Sequence, residues 1–447
     1  MLKEQPWINY FKDLQNDWRH ALDEGKEVAH LKNECIRISN LSLEDEIAPV
    51  LAEEMYRLLE EAPVKEGFNF IEPSDLEGIK QQRPGKRIGL TNNVSKDLLK
   101  DKILGAWHGR ISGCLLGKPV EGYHTERLYK LLKATDNYPL LKYISNDVSE
   151  ELKKEIEMWD KAAWINQING KAPVDDDTNY TVLGLKIVEE YGKSFTPSDV
   201  AEAWLRWMPM LSTCTAERVA YRNLAQGLLP PESATFQNPF KEWIGAQIRA
   251  DFFGYVNPGN PEMAADMAWR DASISHIKNG IYGEMFVAAM LAAAAVCDDV
   301  ITVIEAGLGE IPQNCRLSEK INLVINLFQS GATKSEVFNK IHTIYNEKEG
   351  HDWCHTISNA MIVVYALLFG HKDFEKSICM SVEACFDTDC NGATVGSVLG
   401  MMIGAKNIPE YWTKPYNNQL MTTIEEYNLV NLNDLADKTI ELMERKD

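Results

Sequence analysis

Two stretches of this chain carry glycine at four-residue intervals, and that regularity constrains the fold more than any other feature. Gly392, Gly396, Gly400 and Gly404 follow Asp387 and Asp389 in an apolar run, while Gly105, Gly109, Gly113 and Gly117 punctuate residues 104–117. Residues four apart share one face of a helix. Each interior glycine costs a helix about 1 kcal/mol relative to alanine, so a repeated series implies a compensating gain, most simply a second backbone approaching closely. We expect two helices packed on small faces, with each other or with common neighbours, so that their flanking acids come together. A membrane pair has the same spacing. The longest strongly apolar run, residues 285–297, stops at Asp298 and Asp299, short of the ~20 residues a span needs.

The chain has 447 residues, 45% of them apolar, enough for a substantial core in one large domain or several ordinary ones. A net charge of −20 argues against nucleic acid and anionic membrane surfaces as partners and leaves room for a cation-dependent site. Nine cysteines without a Cys-x-x-Cys pair, and a start of Met-Leu-Lys-Glu-Gln-Pro-Trp with no apolar signal region, predict a reduced, cytoplasmic protein.

Trp7, Phe11, Leu14, Trp18 and Leu22 follow helical spacing, and Leu51, Met55, Leu58 and Leu59 do so again. Two such helices have apolar faces too sparse to close a core alone. Residues 67–93, with Pro73, Pro84, Gly85 and Gly89, read as loop. The division expected is therefore an N-terminal helical extension over residues 1–95 and a main domain over residues 96–447. Trp18, Arg19 and His20 are placed either to cover a site or simply to pack. In the main domain the first glycine helix should stop at Gly117, because Pro119 follows, which leaves Glu121 in the loop beyond it.

Asp175, Asp176 and Asp177 stand directly before an apolar helical pattern over residues 180–191. Capping and the helix dipole favour an aspartate there, but three in succession repel one another unless a cation or protons intervene. With Asp387 and Asp389 added, the donor set is all oxygen, which suits Mg²⁺, Mn²⁺ or Ca²⁺ rather than zinc. Farther along, Arg218, Arg222 and Asn223 share a helical face, and residues 262–277 read as a helix carrying Asp271, Ser275 and His276. His351 and His355, with Cys354 between them, have a zinc-like spacing on one helix. The glutamate of an HExxH motif is absent, since Asp352 follows His351.

Three of these features, taken together, resemble a known family. Gly-Cys-Leu-Leu-Gly-Lys-Pro-Val-Glu-Gly over residues 113–122, Asp176-Asp177-Thr178, and Asp387-Thr388-Asp389 followed by Asn391 and the small-residue helix are similar in order and context to the ADP-ribosylglycohydrolases. These hydrolases remove ADP-ribose from protein side chains. The resemblance covers roughly residues 100–412. It implies an all-α, multi-helix domain with two divalent cations, Mg²⁺ or Mn²⁺, set among its helices.

By the same resemblance Asp176, Asp177, Asp387 and Asp389 match metal ligands, and Glu121 matches a glutamate that reaches the same centre; we expect Glu121 to ligate metal in one state and to move aside when substrate enters. Asp175 and Cys390 stand where Thr or Ser is frequent; Asp175 would add a ligand, Cys390 a soft sulfur. The catalytic carboxylate would come from Asp176, Asp177 and Asp387, with Glu121 assisting, and His276, His355, Asn359 and Asn391 would line the substrate cleft. Residues 244–251 keep Gly245 and Arg249 of a pocket loop but lack its asparagine. The activity implied is metal-dependent hydrolysis of an N- or O-glycosidic bond to ADP-ribose, on a small molecule or an ADP-ribosylated substrate. Two alternatives are the same centre acting on another riboside or glycoside, and a non-catalytic ADP-ribose-binding member.

Overall fold

A computed structural model describes residues 5–158 and 163–445. Among them are twenty-three α-helices and one small antiparallel sheet, Gln419–Met421 against Leu429–Asn431. The fold is all-α, as the sequence implies. None of these helices is long and apolar enough to cross a membrane.

The two glycine helices, Lys96–Gly117 and Thr388–Ile403, form an antiparallel pair at the centre. A Cβ added at Gly105 would lie 2.3 Å from the Gly400 carbonyl oxygen, at Gly109 1.9 Å from that of Gly396, and at Gly113 1.8 Å from that of Gly392. The second series meets the first reciprocally. Each helix is thus the close-packed backbone that compensates the other for its glycines. Gly404 is the exception in the series: with φ +81° it lies past the helix end and stops it. The first helix begins at Ser95, whose hydroxyl caps Leu98 N, and ends at Gly117. There the Thr388 hydroxyl donates to the Gly117 carbonyl at 2.9 Å, satisfying one of the oxygens a helix end leaves open.

Further buried helices surround this pair. Lys278–Ala294 is buried from Asn279 onward, and Thr356–Gly370 is buried throughout. Both lack an apolar stripe because neither has a face toward water. One contiguous apolar core runs through the body, from Ile79 to Leu442.

The N-terminal helices form a second cluster. Leu14–Asp23, Lys32–Ser39 and Ala48–Glu61 bury Phe11, Leu14, Ala21, Val28, Cys35, Ile38, Ala52, Met55 and Leu59 against one another. The two sparse helices close this cluster only with a third, Lys32–Ser39, whose Cys35 and Ile38 are too few to register as a pattern in the sequence. The stretch 67–93 is not all loop: Asp75 caps a helix, Leu76–Gln82. It is tied to the body by Glu72 to Arg316 at 2.7 Å and by the Tyr282 hydroxyl donating to the Pro73 carbonyl at 2.5 Å.

Two other helices end earlier than expected. Pro261–Ala272 stops before Ser275 and His276, which lie in the link to the next helix. His351 and His355 do not share a helix, because His355 is extended (φ −70°, ψ 140°) between Gly350–Cys354 and Thr356–Gly370 and caps the latter.

Candidate metal centre

The antiparallel pairing sets the end of the first glycine helix beside the start of the second. A Cβ on Gly117 would meet the Thr388 carbonyl at 2.2 Å and Asp389 N at 2.4 Å. Glu121, four residues on, therefore stands near Asp387, the residue that opens the second helix, and Asp389 in its first turn. The third contributor is the helix Asp176–Tyr191, capped by Asp175, whose Oδ1 accepts from Asp177 N at 2.9 Å. Asp175, Asp177, Asp387 and Asp389 are buried, whereas Asp176 and Glu121 remain partly open.

Two cations that the sequence reading passed over organise these acids. Arg110, fully buried between Gly109 and Gly113, donates to the Asp177 carbonyl at 2.8 and 3.1 Å and to its Oδ1 at 3.2 Å. It also bonds Asp251 at 2.8 Å and the Ile248 carbonyl at 2.6 Å. Lys118 pairs with the second oxygen of Asp175, so both Asp175 oxygens are engaged. A lone arginine within a glycine-faced apolar helix was the signal that could have revealed the first of these. Asp177 Oδ2 and Asp389 Oδ1 remain, each buried without a hydrogen-bond partner.

Electrostatics follow from that arrangement. Burial, with Asp175, Glu121 and Asp387 adding to it, raises Asp176 to about 8. Burial and Glu121 raise Asp387 to about 6, although the Cys354 thiol, donating to its Oδ2 at 3.6 Å, works the other way. Asp177 and Asp389 are pushed well above the carboxylate range by burial; Glu121 and Asp387 add to the effect at Asp389, and Asp175 and Asp176 at Asp177. At Asp175 burial acts the same way, but the Lys118 ammonium outweighs it and the net direction is down. Several buried acids thus share too little positive charge, a deficit that protons or a divalent ion would fill. Ligand atoms of Asp177, Asp389 and Cys390 lie within 4.8 Å of one another, as do those of Cys114, Asp175 and Asp177. The residues present fit a cation.

Among known protein families, residues 95–447 match ADP-ribosylglycohydrolase. The chain belongs to the ADP-ribosylglycohydrolase family. A solved structure described as an ADP-ribosylglycohydrolase-related protein complex is similar over 78% of this chain and 98% of that one, at 17% identity and a TM-score of 0.44. No curated protein matches the chain closely. Family membership supports a glycohydrolase-type function, and members generally depend on a divalent metal.

Other residues that the ADP-ribosylglycohydrolase resemblance singled out take up supporting positions. Asn359 is buried; its Oδ1 accepts from Asp387 N at 3.1 Å and from Asn391 Nδ2 at 2.7 Å, and its Nδ2 donates to the Trp353 and His355 carbonyls. It thus ties the buried helix Thr356–Gly370 to the Asp387 turn. His355 points Nε2 toward Glu242 at 3.6 Å. His276 is buried with Nδ1 on the Ser275 hydroxyl at 2.7 Å, and its charged neighbours are Arg249 and Glu242 rather than the aspartates. Arg249 is itself saturated by Asp271, Glu217 at 2.7 Å and the Gly245 carbonyl. Arg218 and Arg222 bond chiefly to backbone carbonyls.

A second group, Asp23, His351 and His355, also has ligand atoms within 4.8 Å of one another. Its hydrogen bonds oppose a metal. His351 Nδ1 accepts from Trp243 Nε1 at 3.4 Å, and His355 Nδ1 accepts from Ile357 N at 3.1 Å. In the neutral rings that leaves the proton on Nε2, where His351 donates to Asp23 at 3.0 Å. Ligation through Nε2 needs the opposite tautomer.

Proposed function

We propose that this chain is a divalent-metal-dependent hydrolase that cleaves an N- or O-glycosidic bond to ADP-ribose. The observation that carries the reading is the convergence of acids from three separated segments, with Asp177 Oδ2 and Asp389 Oδ1 buried and unpartnered at their meeting point. Asp177, Asp389 and Asp387 would hold the metal, Mg²⁺ or Mn²⁺, as one ion or two. A bound divalent ion supplies Lewis acidity toward sugar and water oxygens.

The chain's own residues supply the remainder. Arg110 fixes Asp177 from behind, and Asn359 fixes Asp387 through its backbone N–H. Asp176 and Glu121, the two partly open carboxylates, face the side from which substrate enters. A carboxylate of the set Asp176, Asp177, Asp387 and Asp389 takes the proton of the attacking water while its neighbours stabilise positive charge developing on the sugar. Glu121 leaves the centre as substrate binds. His276, His355 and Asn391 act behind the cleft, holding the segments that shape it.

A second reading, turnover of another riboside or glycoside, is favoured by Arg249. Its guanidinium is fully engaged within the protein, so it offers nothing to a diphosphate. A non-catalytic ADP-ribose binder would hold ligand without releasing product. Product release from ADP-ribosyl-arginine, ADP-ribosyl-serine and simple ribosides separates these readings, measured with Mg²⁺ or Mn²⁺, with chelator, and with Asp389→Asn. The expected outcome is turnover of an ADP-ribosyl substrate that chelator abolishes and the variant lowers at least a hundredfold. Turnover confined to simple ribosides establishes the second reading, and binding without turnover the third.

A further inference from the structure

Four of the nine cysteines, Cys114, Cys214, Cys354 and Cys390, face the acidic centre, and each has one or more of Asp175, Asp176, Asp177, Asp387 and Asp389, or Glu121, among its charged neighbours. Among the described residues two of them join groups of three whose ligand atoms all lie within 4.8 Å of one another, Cys114 with Asp175 and Asp177, and Cys390 with Asp177 and Asp389, while Cys354 Sγ meets a single carboxylate, donating to Asp387 Oδ2 at 3.6 Å. The first group is compromised, since one Asp175 oxygen accepts from Asp177 N and the other is paired with Lys118. The second is not. Arg110 takes Asp177 Oδ1 and leaves Oδ2 free, Asp389 Oδ1 is likewise unpartnered, and both side chains are at least 97% buried. Cys390 follows Asp389 directly in the first turn of the second glycine helix and is 6% exposed.

We infer that Asp177, Asp389 and Cys390 form a mixed oxygen–sulfur site whose thiolate lets the same centre that takes Mn²⁺ also bind the thiophilic ions Zn²⁺ and Cd²⁺, and bind them more tightly than Mg²⁺. This rests on the reading that the centre holds a divalent cation, and goes beyond it in naming the donor that sets the choice of ion.

Thiolates select zinc and other soft ions, whereas carboxylate-only sites suit magnesium, calcium and manganese. Two ligands of one tetrahedral zinc stand about 3.6 Å apart, from Zn–S of about 2.3 Å and Zn–O of about 2.1 Å. The group already lies within 4.8 Å, so modest side-chain rotation closes it. The Cys390 thiol gives its proton to solvent as the metal–sulfur bond forms. The glycine helix gives little room to move Cys390 away, because Gly392 is packed against the Gly113 backbone.

The test uses chelator-stripped full-length protein and needs no turnover. Mn²⁺, Mg²⁺, Zn²⁺ and Cd²⁺ are titrated by calorimetry, and Cd²⁺ also by the ultraviolet thiolate-to-cadmium charge-transfer band. Wild type, Cys390→Ser, Cys390→Ala and Cys114→Ser are compared after melting curves confirm that each is folded. The expected result is one charge-transfer band per chain, kept in Cys114→Ser and lost in both Cys390 variants. Those variants should bind Zn²⁺ and Cd²⁺ at least tenfold more weakly while Mn²⁺ affinity changes less than threefold. If Cd²⁺ binds without the band, or the Cys390 variants keep it, the mixed site is overturned while the Mn²⁺ titration still upholds the metal centre. If no ion binds wild type, the metal reading falls, and this one with it.

Discussion

His108 shows how a single side chain on the first glycine helix couples stability to pH. Its Nδ1 faces the Tyr416 hydroxyl at 2.9 Å, and burial holds the ring down at about 4 against an ordinary 6.5. Between those values the unfolded chain binds a proton that the folded chain refuses, so stability rises with pH. The contribution is complete above pH 6.5 and is lost as pH falls from 6.5 to 4; its full size is about 3 kcal/mol. Other groups titrate in the same range, so the informative quantity is a difference between variants. The unfolding free energy of wild type minus that of His108→Gln, from urea titrations, should fall by about 2–3 kcal/mol between pH 7 and pH 4.5. A constant difference would show that the ring accepts its proton without cost. At this scale the sequence was informative about acids and poor about their partners. Asp176, Asp177, Asp387 and Asp389 announce themselves because like charges this close need a reason. Lys118 and Arg110 do not, because a lysine in a loop and an arginine in a helix have ordinary uses, and Asn359 is singled out only by the family resemblance, as a residue lining the cleft. Only the fold reveals that they hold Asp175, Asp177 and Asp387.

At the scale of elements the glycine pair organises everything else. Helix propensity alone says that Gly396→Ala should gain about 1 kcal/mol. The geometry says otherwise, because the new methyl would meet the Gly109 carbonyl oxygen at 2.1 Å and its carbon at 2.7 Å. Both contacts are to backbone within a helix, which cannot rotate away as a side chain can. Gly396→Ala is therefore expected to destabilise by about 3 kcal/mol in chemical denaturation, at the upper end of the range for overpacked cores. Gly89→Ala, where nothing lies within 4 Å, should stay within about 0.5 kcal/mol of wild type. If both variants were neutral, the close approach of the helices would be wrong. The interval of four was legible because the physics that demands it is local: one face, one small residue per turn. The register that pairs Gly109 with Gly396 was not, since it depends on residues nearly 300 positions apart. The His351–His355 spacing misled for the converse reason. It assumed one continuous helix, where the chain turns at His355 and starts another.

At the scale of the molecule, the N-terminal three-helix unit has its own apolar cluster but meets the body through charge. Asp17 pairs with Lys241 at 2.8 Å, Asp23 with His351 at 3.0 Å, Glu24 with Lys278, and Arg19 with Asp352 at 3.6 Å. His20 is buried between Glu24 and Glu242 at 3.2 and 3.4 Å, and although burial opposes its charge the two carboxylates raise its pKa. The helical spacing of Trp7, Phe11, Leu14, Trp18 and Leu22, and of Leu51, Met55, Leu58 and Leu59, made two of its helices visible in the sequence. How it docks was not visible, because its apolar residues face one another and its contacts are single acids meeting single bases far along the chain. A unit held this way should loosen independently of the glycine core. Lys241→Met removes one partner and leaves Asp17 buried with its charge unmatched, a loss of about 3 kcal/mol. Because the three helices keep an apolar cluster of their own, with Phe11, Leu14, Met55 and Leu59 among its members, the cost should appear as local opening rather than as a lower global stability. Hydrogen exchange is then expected to accelerate on the three helices between residues 14 and 61, by a factor of about a hundred, while amides of Thr388–Ile403 keep their wild-type rates. Equal acceleration in both regions would show instead that extension and core unfold as one cooperative unit, with the charged contacts part of a single structure.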